Sequence, residues 1–348
     1  MIPTELLGSL PRSQELLKAV KSSEATGKVP AGMGQLQLSA VQQAIIDLEK
    51  TGSTLLTDGE QSKPSYLTYA VAGLKNVEPD GAVVQYIDGH GRRLPRLTKG
   101  PFSYNKYAGD YVYQARKFTA KPLKQAVISP ASMFLMYPKS GIEEYPPNEF
   151  LEDVIGQSEL DLRSCLGQNC SNLQIDAPEL SMSIGIDSRA ELLQKFIAVN
   201  NVLLDRFVPS QRLDIGVHIC SGCDQGSSLC TEAEYCELLK EVFKLHTDKL
   251  YLPLEKFKNK DEILQIIHKY KNPWNKLYIG VVDVRPGVPE PTPEQIIQRI
   301  QRIARYIPLN QLGTTDDCGF ASFADTESMS RRFALNSITA RVQGTARF

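Results

Sequence analysis

A chain of 348 residues with 42% apolar content can bury a large core, either as one big α/β barrel or as two ordinary domains. Its net charge of −1, from 39 basic and 40 acidic residues, offers no electrostatic footprint for nucleic acid or an anionic membrane. The start Met1-Ile2-Pro3-Thr4-Glu5 lacks the basic and apolar regions of a signal peptide, and no apolar run approaches the roughly 20 residues that span a bilayer. Small molecules are therefore the expected partners and the cytoplasm the expected compartment. Seven cysteines, an odd number, do not suggest a disulfide framework, and reduced thiols are free to bind metal.

In chain order, Leu6-Leu7-Gly8-Ser9-Leu10 reads as a short strand stopped by a turn and Pro11. Leu38, Val41, Ile45, Ile46 and Leu48 recur at nearly helical spacing over 37–50, and Gly52 supplies the stop. Thr54-Leu55-Leu56-Thr57 predicts a second strand, closed by Asp58-Gly59-Glu60. Between about 77 and 121 the pattern changes to short alternating runs, Val83–Ile87 and Tyr111-Val112-Tyr113, with Asp88-Gly89 as turn chemistry; this predicts an inserted antiparallel hairpin or lid.

Alternation then resumes. Strands are expected at 125–128, 172–175, 213–217, 249–255, 277–282 and 311–313, with helices at about 150–165, 189–207, 232–245, 261–268, from 293, and 326–342. Pro253 should weaken the strand that contains it. Eight strand starts, each followed by a helical stretch, predict a single (β/α)₈ TIM barrel spanning 1–348 rather than an open sheet.

Active sites of such barrels lie at the C-terminal ends of the strands. The residues there are Gly8-Ser9, Asp58-Gly59-Glu60, Asp176, His218 with Cys220, Glu255, Asp283 and Asp316-Asp317-Cys318. His218, Cys220, Glu255 and Cys318 make a mixed nitrogen, sulfur and oxygen set suited to four-coordinate zinc, with the carboxylate as the more exchangeable ligand. An incoming thiol could take its place and be held as the nucleophilic thiolate. Blander readings stand beside this one. His218 and Cys220 could be a buried cysteine beside a hydrogen-bonded histidine. Cys220-Ser221-Gly222-Cys223 could be redox-active or form a structural site with Cys230 and Cys236. Asp58 and Glu60 could cap or solvate a loop, and Asp176 before Ala177-Pro178 could begin a turn.

Taken in order, Leu7-Gly8-Ser9-Leu10-Pro11-Arg12, Asp58-Gly59-Glu60, Ser129-Pro130, Gln174-Ile175-Asp176-Ala177-Pro178, Val217-His218-Ile219-Cys220, Glu255 and Asp317-Cys318-Gly319-Phe320 resemble the catalytic barrel of cobalamin-independent methionine synthase and its short single-barrel relatives. The resemblance implies zinc held by His218, Cys220 and Cys318, with Glu255 as the ligand that moves when homocysteine or a similar amino thiol arrives. It also implies Gly8 and Ser9 at the amino acid's carboxylate, and Glu60 and Asp176 at its ammonium. A methyl donor, methylfolate or a corrinoid protein, would complete a transfer giving methionine.

The sequence departs from that pattern near Asp283-Val284-Arg285-Pro286, where the family's proton-donating histidine is missing. Asp283 is the residue there that could stand in as the acid. The alternative reading is a non-catalytic or repurposed barrel that binds a small amino acid or a metal. A metal-free decarboxylase on the same barrel is a third.

Overall fold

The structure, a computed structural model, describes every residue except Met1, Gly27 and Ser188. After an extended entry come α1 (Gln14–Thr26) and α2 (Met33–Lys50). α2 buries Val41, Ala44, Ile45 and Leu48 on one side; of the residues expected in that stripe Leu38 is half-buried and Ile46 is exposed. The insertion holds β1 (Val77–Glu78), β2 (Val83–Gln85), β3 (Gly91–Arg93) and β4 (Arg96–Leu97) as nested antiparallel pairs, β2 with β3 inside β1 with β4.

Tyr111-Val112-Tyr113, expected as a strand, lies instead in α3 (Gly109–Arg116). Tyr111, Val112 and Ala115 are buried while Tyr113 is 56% exposed, which is helical rather than alternating burial. Tyr111 packs edge-on against Tyr69, and the Ala108 N–H donates to the Asp161 carboxylate at the start of the helix.

From there each strand is followed by one or more helices: β5 (Lys124–Ile128), α4 (Pro130–Phe134), α5 (Pro147–Leu166), β6 (Asn172–Asp176), α6 (Pro178–Ile186), α7 (Glu191–Leu204), α8 (Pro209–Arg212), β7 (Ile215–His218), α9 (Glu232–Glu241), β8 (Lys249–Leu252), α10 (Lys260–Tyr270), β9 (Lys276–Gly280), α11 (Pro293–Ile303), β10 (Leu312–Thr315) and α12 (Arg331–Arg347). Pro253 falls just beyond β8, so the missing N–H costs the ladder nothing. The proline at the start of α4, α5, α6, α8 and α11 occupies a position whose N–H has no helical partner anyway.

β5 to β10 form one parallel sheet in sequence order. The two remaining ring positions, expected as strands at 6–10 and 54–57, are extended segments that pair through single bridges, Thr4 with Thr314 and Leu56 with Leu123. Their backbone bonds nevertheless run round the gap. The Glu5 N–H donates to Thr314 O at 3.0 Å, Lys124 N–H to Leu56 O at 2.8 Å, and Leu10 N–H to Gly59 O at 3.0 Å. The result is a (β/α)₈ barrel with two abbreviated staves. Prolines at 3 and 11 remove donors from the first, which limits its ladder.

The barrel interior at the N-terminal end is filled by Glu5, Lys124, Lys249, Tyr251 and Tyr278, all buried. A Cβ on Gly216 would stand 2.5 Å from the Tyr251 ring and one on Gly313 2.7 Å from Tyr278, so these glycines make room for the two aromatic plugs. Glu5 lies 3.2 Å from the Lys124 ammonium and 3.6 Å from that of Lys249. Burial pushes the Glu5 carboxyl up, but the two ammoniums and the tyrosine hydroxyls outweigh it and hold the group down at about 2. Lys124 falls to about 8 through burial, partly opposed by Glu5; both values leave the pair ionised at neutral pH.

Candidate metal centre at the barrel mouth

His218 is the last residue of β7 and faces Asp176, the last residue of β6, as its register partner. Asp176 Oδ1 sits 2.9 Å from His218 Nδ1. A carboxylate there fixes the proton on Nδ1, so the Nε2 lone pair points away from it. Nε2 is buried without a hydrogen-bond partner. Directly after the strand the chain turns, with the Cys220 N–H donating to His218 O at 3.0 Å, and this brings the thiol back over the barrel.

Cys318 comes from the other side, three residues past β10 and directly after two committed carboxylates. Asp316 is paired at 2.8 Å with Arg341 of α12, both side chains 1% exposed. Asp317 accepts the N–H groups of Leu254, Glu255 and Lys256 at 2.9, 3.0 and 2.6 Å, tying this loop to the end of β8. Cys318 Sγ lies 3.9 Å from Cys220 Sγ. The ligand atoms of His218, Cys220 and Cys318 all fall within 4.8 Å of one another, and all three residues are buried.

The chemistry of the group follows from that proximity. A hydrogen bond from the Cys220 thiol pulls Cys318 down against the effect of burial, while that bond and burial drive Cys220 well up. Two thiolates and one neutral imidazole nitrogen, converging on one point, are the donor set of a zinc site. The orphaned Nε2 is the observation that makes the fit specific, since a buried acceptor with no partner is uncommon unless something else occupies its lone pair.

Glu255 lies outside this group, which therefore has three members rather than the four expected. Its carboxylate is 3.2 Å from Arg299 Nε and 4.0 Å from the Lys260 ammonium, on the outer side of the rim. Asp283 is likewise committed: the Arg285 side chain contacts both its oxygens at 2.6 to 3.1 Å. Among the described residues, Cys223, Cys230 and Cys236 form no second group of ligands, and Cys223 Sγ lies 3.6 Å from Val284 O.

The group forms one wall of a small cavity, also lined by Ser9, Glu60, Asp176 and Tyr66. Ser9 Oγ accepts the Ala321 N–H at 3.1 Å, which leaves its proton free to donate. Gly8 does not line the cavity. A Cβ there would stand 2.7 Å from Glu60 Oε1, so its bare backbone lets the Glu60 carboxylate approach. Burial raises Glu60 to about 7, opposed by Lys63 and reinforced by Asp176 and Asp58. Its Oε2 has no hydrogen-bond partner.

Three residues to which the sequence assigned no role hold this mouth together. Arg12 is buried and donates to Glu60 O, Lys63 O and Phe323 O at 2.7, 3.0 and 2.8 Å, clamping the loops after the first two staves to the loop after β10. The Lys256 ammonium donates to Ser221 O, Gly222 O and Ser228 Oγ, pinning the loop that carries Cys220. Gln174, inside β6, donates to Asp176 Oδ1 at 2.7 Å. Buried cations satisfied by carbonyls carry no periodicity, which is why no structural role could be read for Arg12 or Lys256.

Fold and site together define a parallel α/β barrel with a histidine–dithiol group, able to hold a metal ion, in its mouth. The chain belongs to the family described as cobalamin-independent synthase, catalytic domain, whose sequence model matches residues 2–336. It is 23% identical over 347 residues to the 5-methyltetrahydropteroyltriglutamate–homocysteine methyltransferase of Sodalis glossinidius, a match covering 97% of this chain and 42% of that protein. The chain thus spans about two fifths of that relative. A methionine synthase of Saccharolobus solfataricus is 22% identical over 361 residues, with 99% of this chain and 94% of the relative covered. Among solved structures, a B12-independent methionine synthase from Shewanella, in complex with selenomethionine, superposes with TM-score 0.75 at 18% identity, covering 100% of this chain and 97% of that one. A putative one from Listeria monocytogenes gives 0.69, also at 18% identity, covering 100% and 99%. At that identity the two structures bear on the fold.

Proposed function

We propose that the protein is a zinc-dependent methyltransferase that methylates homocysteine or a closely similar amino thiol, with a methylated pteroylpolyglutamate as donor. The observation that carries this reading is the His218–Cys220–Cys318 group, with its unpartnered Nε2, set in the same small cavity as Ser9, Glu60 and Asp176. His218, Cys220 and Cys318 would hold the metal. When bound, zinc would lower the pKa of the substrate thiol so that it stays a thiolate near neutral pH.

The chain's own residues do the rest. Asp176 keeps the His218 proton on Nδ1 and presents Nε2 outward. Glu60, poised near neutrality by burial, becomes fully ionised when an ammonium enters the cavity, and Asp176 adds a second carboxylate on the same side. Ser9 offers its hydroxyl proton to the carboxylate at the other end of an amino acid. These anchors aim the sulfur at the cysteine pair; the methyl group would pass from N5 of the donor to that sulfur, the N5–CH3 bond breaking as the S–CH3 bond forms, and the proton given up by the thiol would return by way of solvent to N5. The relatives' printed names supply the acceptor and the donor class of this reading.

Glu255 is the proposed exchangeable fourth ligand, and in that role it would have to leave Arg299 and swing inward. Asp283, held on both oxygens by Arg285, is placed to anchor a cation more than to deliver a proton. Metal analysis of the purified protein, followed by homocysteine titration, tests the reading. Stoichiometric zinc whose coordination changes on adding the thiol is the expected outcome; protein that holds no zinc, or zinc indifferent to thiols, would refute it.

A further inference from the structure

The inserted hairpin takes no part in the chemistry above, yet one of its residues reaches both loops that carry the cysteines. Arg92 of β3 stands opposite Val84 of β2, and the alternation that leaves Val83, Gln85 and Arg93 exposed turns this pair inward. Arg92 meets two carboxylates there. Its Nε and Nη2 donate to Asp224 at 2.6 and 3.1 Å, and its Nη1 donates to Asp325 at 2.7 Å. The guanidinium also lies over the Phe323 ring, 4.3 Å from its centroid, and Phe323 meets edge-on the ring of Tyr66, which lines the cavity.

Asp224 lies four residues after Cys220, and Asp325 seven after Cys318. Neither stretch belongs to a helix or a strand: residues 219–231 separate β7 from α9, and residues 316–330 separate β10 from α12. The distance between the two thiols therefore depends on side-chain tethers. Lys256 and Asp317 tie each loop to the end of β8, whereas Arg92 ties the loops to each other. The Asp224 side chain is 1% exposed, so its carboxylate needs the two-bond fork that a guanidinium supplies. The hairpin holds Arg92 from a fixed base. The Ile87 N–H donates to Ser228 O at 2.9 Å, and His90 Nε2 lies 3.2 Å from the same Asp224 carboxylate.

We propose that Arg92 is a positioning residue for the metal centre: through Asp224 and Asp325 it sets the spacing of the loops that carry Cys220 and Cys318. Two sulfurs each about 2.3 Å from a tetrahedral zinc ion stand about 3.8 Å apart. The thiols of Cys220 and Cys318 are held 3.9 Å apart, so the strap keeps them at the separation the ion needs. The inference rests on the zinc reading above and gives the insertion a task in it.

The test is the zinc affinity of the full chain, measured by competition with a chelator, beside the unfolding midpoint of the metal-free protein. Arg92→Leu should bind zinc about 10–100-fold more weakly, the loss expected when a partner outside the ligand shell is removed. Asp325→Ala cuts the strap at its partly exposed end and leaves Arg92 paired with Asp224, so it should give a smaller loss with the midpoint little changed. Two controls separate positioning from general loosening. Arg96→Leu breaks the insertion's own ion pairs with Glu78 and Asp80, and Lys124→Met destabilises the opposite end of the barrel; both should keep the wild-type affinity. Wild-type affinity in Arg92→Leu, or a loss of the same size in Lys124→Met, would overturn the proposal. Should Arg92→Leu fail to fold, Asp325→Ala decides, and an unchanged affinity there overturns it. If wild type holds no zinc, the metal reading falls and takes this inference with it; zinc bound alike by wild type and Arg92→Leu overturns the inference and leaves the metal reading standing.

Discussion

The two ends of the barrel interior are both crowded with buried charge, yet they are finished differently. At the N-terminal end Glu5 is met by Lys124, Lys249, the Tyr251 hydroxyl and the Asn172 amide, and none of these groups is left with an unpartnered polar atom. At the C-terminal end His218 Nε2, Glu60 Oε2 and Gln174 Oε1 are buried and unpartnered. The first is a closed network that sets the packing of the plug; the second is incomplete without atoms from outside the chain. In a barrel, that difference separates the stabilising end from the reacting end.

Breaking the lower network should have the largest effect on folding and none on metal. Lys124→Met leaves the Glu5 carboxylate buried beside one distant ammonium, which should cost about 3–5 kcal/mol in urea unfolding. The fraction that still folds should carry the wild-type zinc content.

The two glutamates should oppose each other in their pH dependence. Glu5 is held below its ordinary value, at about 2, so its contribution is present above about 4.5 and is lost as the pH falls toward 2. Glu60 is raised from 4.5 to about 7, so ionising it costs stability as the pH rises through that window, approaching about 3 kcal/mol above pH 7. Glu60→Gln should flatten the decline between about pH 4.5 and 7 in thermal melts, whereas Glu5→Gln should flatten the acid limb alone. A thiol amino acid should stabilise wild type more at pH 8 than at pH 5, and that pH dependence should weaken in Glu60→Gln.

A smaller effect is expected from Asp176→Asn, which keeps the shape but no longer fixes the His218 proton on Nδ1. Zinc affinity should fall about 10–100-fold, measured against a competing chelator, with the unfolding midpoint little changed.

This contrast explains what could be read from the sequence. The β6 to β10 alternation and the strand-end residues Asp176, His218, Cys220 and Cys318 were legible because apolar runs of strand length ended in chemically distinctive side chains. The short α1 was not read, although Ser13 caps it by accepting the Leu16 N–H at 3.2 Å, because its buried stripe is only Leu16, Leu17 and Val20. Tyr111-Val112-Tyr113 misled because three residues cannot distinguish a period of two from one of 3.6 when tertiary contacts with Tyr69 and α5 decide. Glu255 stands at the strand end that the pattern gave it, but which way a side chain turns at a rim depends on Arg299, 44 residues away in sequence. The lower network was invisible for a related reason: Glu5, Lys124 and Lys249 look like ordinary surface charges until the barrel closes around them.

The central claim is that the unpartnered atoms at the mouth are a thiol-activating zinc centre. Its most direct test is the zinc X-ray absorption spectrum of wild type and Cys318→Ala, with and without homocysteine. The account predicts one zinc per chain in wild type, bound by two sulfurs and one imidazole nitrogen with a light-atom fourth ligand, and a third sulfur on adding homocysteine, with Cys318→Ala losing the metal. Zinc retained by Cys318→Ala, or a wild-type spectrum that homocysteine leaves unchanged, would contradict it.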